Sequence, residues 1–209
     1  MKKLEIDDSR VDTLFKSKFL NVYDMHYCKD SHYYNASRRS KDNLVCLKNN
    51  EQFKAMKPDA VSCVVVVEQQ EPKLVLCNEF RYPTGQFLLG VPAGLVDEED
   101  LDIISTAQRE IYEECGLSVQ REDISIINPL LFSSPGMTDE SNALVCVKIK
   151  NISSLSTKNI QGSELFDGFT LLTQKQAQDI LKQGTDQNGI YYSVYTWAAL
   201  MYFVSGMWQ

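Results

Sequence analysis

Hydrophobic and polar positions change character along this chain. Residues 1–55 are polar, tyrosine-rich and irregular, with Val22-Tyr23, Tyr33-Tyr34 and Arg38-Arg39 as their recognisable pairs. Short extended stretches around 19–27 and 32–38 predict a hairpin across Cys28-Lys29-Asp30-Ser31. Such a pair of strands is weak alone and needs a partner surface. His26 and His32 read as ordinary polar strand residues. After Lys57-Pro58 the text becomes Val61-Ser62-Cys63-Val64-Val65-Val66-Val67, a run apolar enough for a strand buried on both faces. A polar turn over 68–73 leads to a second strand over 74–80. The Pro83-Thr84-Gly85 turn leads to a third over 86–89.

Between 101 and 115 the apolar residues Leu101, Ile104, Ala107, Ile111 and Cys115 recur at helical spacing, and Gly116 is placed to end that helix. Strands are expected at 124–132 and 143–150. A helix is expected over 173–183, with Thr173 near its N-cap and Gly184 beyond its end. A final apolar segment, about 193–204, reads as a helix that is buried or faces a partner. Strands flanking one acidic helix, with more helices near the end, predict a mixed α/β domain.

Composition narrows the function classes. In 209 residues, 21 Lys and Arg stand against 28 Asp and Glu, a net charge of −7. That balance argues against a general nucleic-acid binder or a protein of anionic membranes, both of which need a basic face. An anionic small substrate remains compatible, provided metal ions and local arginines supply positive charge. The six cysteines occur singly, with no CxxC pair, and predict free thiols in a reducing cytoplasm. The start of the chain has charge but no apolar h-region, and the tract 194–204 is too short to span a bilayer. The expectation is a soluble intracellular protein.

Candidate chemistry concentrates in Arg109-Glu110-Ile111-Tyr112-Glu113-Glu114-Cys115-Gly116-Leu117. On a helix Glu110 lies three and four residues from Glu113 and Glu114, so the three carboxylates share a face. Like charges at those spacings oppose an isolated helix by roughly 0.2–0.5 kcal/mol per pair. A divalent cation would reverse that sign, and a set of oxygen ligands favours Mg²⁺ or Mn²⁺ over zinc. The stripe Ile104, Ala107, Ile111 and Cys115 lets the same helix pack while presenting its acids. A bare E-x-x-E-E is more often a solvated acidic face; the text around it decides.

Pro92-Ala93-Gly94-Leu95-Val96-Asp97 precedes the helix, and Arg-Glu-aliphatic-x-Glu-Glu-x-Gly-aliphatic ends it. This resembles the Nudix box, the strand–loop–helix signature of Nudix hydrolases. One departure is plain. Gly94 and Arg109 stand fifteen positions apart, one more than the family pattern, and Leu101 occupies the place of the pattern's first Glu. A one-residue insertion would leave Glu99 or Asp100 to take that acid's place. Asn78-Glu79-Phe80-Arg81-Tyr82-Pro83, the approach Leu88-Leu89-Gly90-Val91-Pro92-Ala93-Gly94-Leu95-Val96-Asp97, and Ser134-Pro135-Gly136-Met137-Thr138-Asp139-Glu140 are similar to the ADP-ribose pyrophosphatase branch.

The resemblance implies a Nudix fold, an α/β/α sandwich with a mixed sheet, over 56–209, and a small N-terminal β-lobe over 1–55 that exchanges across a homodimer. It implies metal ions, Mg²⁺ or Mn²⁺, held by the Ala93 carbonyl with Glu110 and Glu114, and bound or supported by Glu113. Arg109 would tether the box loop to the helix. Glu140, on a mobile loop, would serve as general base, with Asp139 as its competitor. Arg81 would contact a phosphate or terminal ribose, Arg38 or Arg39 would reach the substrate, and Tyr33 or Tyr34 would stack on adenine. Arg38-Arg39 could equally be surface charge, and the tyrosines strand packing. The implied reaction is hydrolysis of a nucleoside diphosphate sugar, ADP-ribose giving AMP and ribose 5-phosphate. The alternatives are another nucleotide (a GDP-sugar or a damaged nucleoside triphosphate) or an inactive ligand-sensing Nudix domain.

Overall fold

The computed structural model describes residues 6–28, 30–150, 152, 155–159 and 164–209. The first five residues and Lys29 of the expected hairpin turn lie outside the described residues, as does the side chain of Cys28. The chain divides into two compact units, one of residues 1–59 with 130–142, the other of 60–129 with 143–209.

In the first unit β1 (Val11–Lys16), β2 (Asn21–Cys28) and β3 (Ser31–Ser37) form an antiparallel sheet in that order. The expected hairpin is β2–β3. Strand β1 escaped the sequence pattern because only Val11 is buried, so the strand shows no alternation. Val11, Tyr23, Met25 and Leu44 make a small core, with Ile6, Cys46 and Leu47 against it. A short helix α1 (Asn50–Lys54) follows, capped by Asn49.

The second unit is built on β4 (Ala60–Val67), whose eight residues are all buried. Antiparallel β5 (Lys73–Arg81) pairs with it, β6 (Gln86–Gly90) pairs with β5, and β7 (Ala93–Leu95) pairs with β4. The helix α2 (Ile103–Cys115) follows, then β8 (Ile124–Phe132), β9 (Ser141–Ile149), β10 (Phe166–Thr173), α3 (Gln174–Gln183) and α4 (Val194–Ser205). The seven-stranded mixed sheet runs β10-β5-β4-β9-β8, with β6 and β7 attached to β5 and β4. Val61, Cys63, Val65 and Val67 of β4 pack with Ala107, Ile111 and Cys115 of α2. On the other layer α4 contacts β4, and α3 contacts β5 and β10. That is the α/β/α sandwich, with apolar strands covered on both faces as the burial of β4 requires.

Three differences from the sequence reading have physical causes. Leu101 is 85% exposed and lies outside the helix. Asp102 ends the loop because its carboxylate accepts the Ser105 N–H at 2.9 Å while Ser105 Oγ accepts the Asp102 N–H at 3.0 Å, a reciprocal cap. Strand β7 is three residues of Ala-Gly-Leu, too short for a periodic signal, and is made by pairing with Ser62, Val61 and Ala60. Strand β10 is interrupted near Gly168, where its register with β5 shifts, so its pattern is broken too. The last helix buries Thr196, Ala199, Leu200 and Phe203 and leaves Val194, Trp197 and Met201 exposed. No helix among the described residues is long and apolar enough to cross a membrane. Cys46, Cys63, Cys77, Cys115 and Cys146 are free thiols; the last four are buried and Cys46 is half-buried.

Candidate active site

Helix α2 is set against the sheet by its apolar stripe, and that rotation fixes where its acids point. Glu110 and Glu114 are not solvated; they are 6% and 3% exposed. The Ala93 N–H donates to Glu114 Oε2 at 3.0 Å, which ties β7 to the end of the helix. Gly94 permits the approach: a Cβ there would fall 2.0 Å from the Glu110 carboxyl, so no larger residue fits without displacing that acid. Gly116 ends the helix at φ 70°, in the left-handed region. The insertion in the loop therefore leaves the acids in place.

Arg109 shows how the loop absorbs its extra residue. Its guanidinium donates to Asp100 from Nη2 at 2.8 Å and from Nε at 3.3 Å, and to the Leu95 carbonyl at 2.7 Å. Asp100, rather than Glu99, is the acid that meets the helix arginine. Arg109 Nη1 also donates to Glu110 Oε1 at 2.6 Å and reaches Glu113 Oε2 at 3.5 Å. The three acids thus have a basic neighbour on their own helix. The arginine's donors are divided between loop and helix, which makes it a tether.

Gly94, Leu95 and Asp97 on one side and Arg109, Glu110, Glu113 and Glu114 on the other line a cleft of about 220 Å³. Glu164 joins them. It was not singled out in the sequence, because it stands before β10 in a segment without periodicity or motif. Burial raises the pKa of Glu110 to about 7 although Arg109 pulls it down. Burial raises Glu114 further, to about 9, against the bond from Ala93. Glu164 is raised as well, by burial first, with Arg81 opposing. Arg81 is half-exposed and forms an ion pair with the buried Glu79. Among the groups lining the cleft, four glutamates and Asp97 face one arginine already engaged. Carboxylates buried together are costly unless a cation or protons neutralise them. A divalent ion with oxygen ligands fits this donor set, and Glu110, Glu113 and Glu114 with the backbone at Ala93 would hold it.

The other expected residues lie in the first unit. Arg38 Nε donates to Glu140 Oε1 at 2.9 Å, with both side chains partly exposed. Arg39 is mostly buried; its Nη2 donates to Asp59 Oδ2 at 2.6 Å and to Ser141 Oγ at 3.3 Å. Asp139 accepts the Val45 N–H at 3.2 Å and lies 3.7 Å from Arg39 Nε. Asp139 is therefore a largely buried packing acid, whereas the Glu140 side chain is more exposed. The loop between them and Ser134 is tied rather than free: the Ala36 N–H donates to the Met137 carbonyl at 3.0 Å, and Tyr33 donates its hydroxyl proton to the Gly136 carbonyl at 2.8 Å. Tyr33 borders a mainly apolar pocket with Met25, Cys46, Phe132 and Met137, and Tyr34 is 58% exposed.

Known proteins resemble this chain in fold and in sequence. A crystal structure described as that of an ADP compounds hydrolase matches with a TM-score of 0.64 at 18% identity, covering 100% of this chain and 96% of that one, which is a likeness of fold. Nudix hydrolase 14, chloroplastic, of Arabidopsis thaliana is 31% identical over 114 residues, covering 50% of this chain and 37% of that protein. The Caenorhabditis elegans protein named "Putative nudix hydrolase 2" is 29% identical over 120 residues, covering 57% of this chain and 52% of that protein. The chain thus spans about half or less of the curated relatives it matches. The model of the NUDIX domain matches residues 56–186, which include the strand β4, the glycine approach and the whole acidic helix, and the chain belongs to the Nudix family.

Proposed function

We propose that this protein hydrolyses the pyrophosphate bond of a nucleoside diphosphate sugar, with ADP-ribose giving AMP and ribose 5-phosphate as the leading case. The observation that carries the reading is the cleft in which Glu110, Glu113 and Glu114 converge beside Gly94, with Glu114 held by the Ala93 N–H. The ADP compound named for the structural neighbour supports the nucleotide class. A divalent ion, Mg²⁺ or Mn²⁺, would neutralise the pyrophosphate and make an attacking water more acidic. The residues supply the rest. Glu110 and Glu114 bind and orient, with Glu113 in support, and Arg109 keeps the loop and helix in register. Arg81 offers its guanidinium to a phosphate or ribose. Glu140 takes the proton of the attacking water as the P–O bond to the leaving phosphate breaks. Its exposure beside Arg38 suits that role better than the largely covered Asp139 does. Tyr33 or Tyr34 would stack on adenine; Arg38 would reach the substrate, with Arg39 as the alternative.

The same reading includes a homodimer, supported by exposed Leu14, Phe15, Phe19 and Leu20 on and beside the edge strand β1. It also includes a reducing cytoplasm, in keeping with the five free thiols among the described residues. The experiment is a product-release screen over ADP-ribose, ADP-glucose, GDP-mannose, NADH and oxidised dGTP with Mg²⁺ and Mn²⁺. Selective release of AMP from ADP-ribose supports the proposal. Preference for a triphosphate or a GDP-sugar would replace the substrate, and no turnover by folded protein would favour a ligand-sensing domain. Light scattering at the chain's own 23.8 kDa would refute the dimer.

A further inference from the structure

Neither of the chain's two histidines has a role in the function proposed above. His26 of β2 stands directly opposite His32 of β3, with ring centroids 4.5 Å apart. Asp24 precedes His26 by two residues, so alternation along the strand puts it on the same face. Asp12 of β1 stands directly opposite Asp24. The register therefore gathers two imidazoles and two carboxylates on the face opposite the one that carries Tyr23 and Met25 into the small core. His32 Nδ1 lies 2.8 Å from Asp24 Oδ2, while His26 Nε2 lies 3.0 Å from Asp12 Oδ2 and 3.9 Å from Asp24 Oδ2.

Two observations suit this cluster to a cation. Asp24 is 8% exposed, yet its Oδ1 has no hydrogen-bond partner. Asp12 and Asp24 are like charges facing each other across a strand pair, an arrangement that opposes sheet formation. One ligand atom each from Asp24, His26 and His32 already lies within 4.8 Å of the others. Tetrahedral zinc at 2.0–2.1 Å from its ligands spaces them by about 3.4 Å, so side-chain adjustments of roughly 1–1.5 Å bring these three ligand atoms to that spacing. Paired imidazoles with carboxylate suit Zn²⁺ or Co²⁺, whereas the all-oxygen set of the α2 cleft suits Mg²⁺.

We propose that Asp24, His26 and His32, with Asp12 as the fourth donor, form a structural zinc-class site that staples the three strands of the N-terminal sheet. The need is physical. The sheet's buried apolar core is Val11, Tyr23, Met25 and Leu44, and so small a core gains from a metal crosslink.

The test uses full-length protein stripped with chelator and then held in excess Mg²⁺, which occupies oxygen-only sites. Zn²⁺ titration is expected to show one tight site, with Co²⁺ giving the intense visible bands of a four-coordinate centre. In NMR both imidazoles are expected to shift, His26 through Nε2 and His32 through Nδ1. Asp24→Asn should weaken Zn²⁺ binding at least 10-fold, and His26→Asn with His32→Asn at least 100-fold. Glu114→Gln should leave it unchanged. Zn²⁺ that binds the double histidine variant as it does the parent overturns the proposal. So does a parent whose two imidazole resonances stay unmoved by Zn²⁺. The NMR result decides the matter even where the double variant fails to fold.

Discussion

Replacing Glu114 with glutamine separates the burial of this side chain from its charge. In the folded protein burial holds its pKa at about 9, against 4.5 for an ordinary glutamate. Below pH 4.5 both folded and unfolded chains carry the proton, and the group costs nothing. As pH rises toward 9 the unfolded chain ionises while the folded one resists, so the metal-free protein loses stability across that window. At roughly 1.4 kcal/mol per pH unit, the loss at pH 7 is about 3 kcal/mol. Glutamine keeps the shape and an oxygen for the Ala93 N–H, but cannot ionise. In chelator, Glu114→Gln is therefore expected to match the parent near pH 4.5. At pH 7 it should exceed it by about 3 kcal/mol, or about 6–12 °C in Tm. Circular dichroism melts at the two pH values measure both. Saturating Mg²⁺ or Mn²⁺ should then stabilise the parent and leave the variant unmoved, since only the parent gains from ligand linkage. The same variant should lose several orders of magnitude in kcat. Parallel pH dependences of the two proteins in chelator, or a metal-induced shift of equal size in both, would refute the reasoning.

The remaining expectations concern the loop, the arginines and the base. Gly94→Ala should abolish turnover while the protein still folds, because a Cβ 2.0 Å from the Glu110 carboxyl must push that acid out of the cleft; wild-type kcat would contradict the close approach. Asp100→Asn should release the Arg109 tether and lower metal affinity measurably by titration calorimetry, whereas Glu99→Gln should have no effect. Glu140→Gln should lower kcat by roughly 10²–10⁴-fold with little change in metal affinity, and normal turnover would remove Glu140 as the base. Arg39→Ala should destabilise the protein by roughly 3 kcal/mol in urea melts, because it strips a partner from the largely buried Asp59.

The sequence by itself determined the elements whose signals are local. Val61–Val67 reads as a strand covered on both faces, and the stripe of Ile104, Ala107, Ile111 and Cys115 as the packed side of a helix, and both are found so. The Nudix text named the family because its arginine and glutamates keep their spacing along one helix, even with one residue added to the loop before it. Tertiary structure decided what depends on residues distant in the chain. Strands β1, β7 and β10 exist through their pairing partners and carry little pattern of their own. Glu164 reaches the cleft only because the chain before β10 returns to the acidic helix. The choice of Asp100 over Glu99 was made by where the loop's backbone aims each carboxyl at Arg109. The two histidines read as plain strand residues until the register of β2 and β3 set them opposite each other, with Asp24 beside them. Spacing along a chain fixes the face of an element, but which faces meet is settled only by packing.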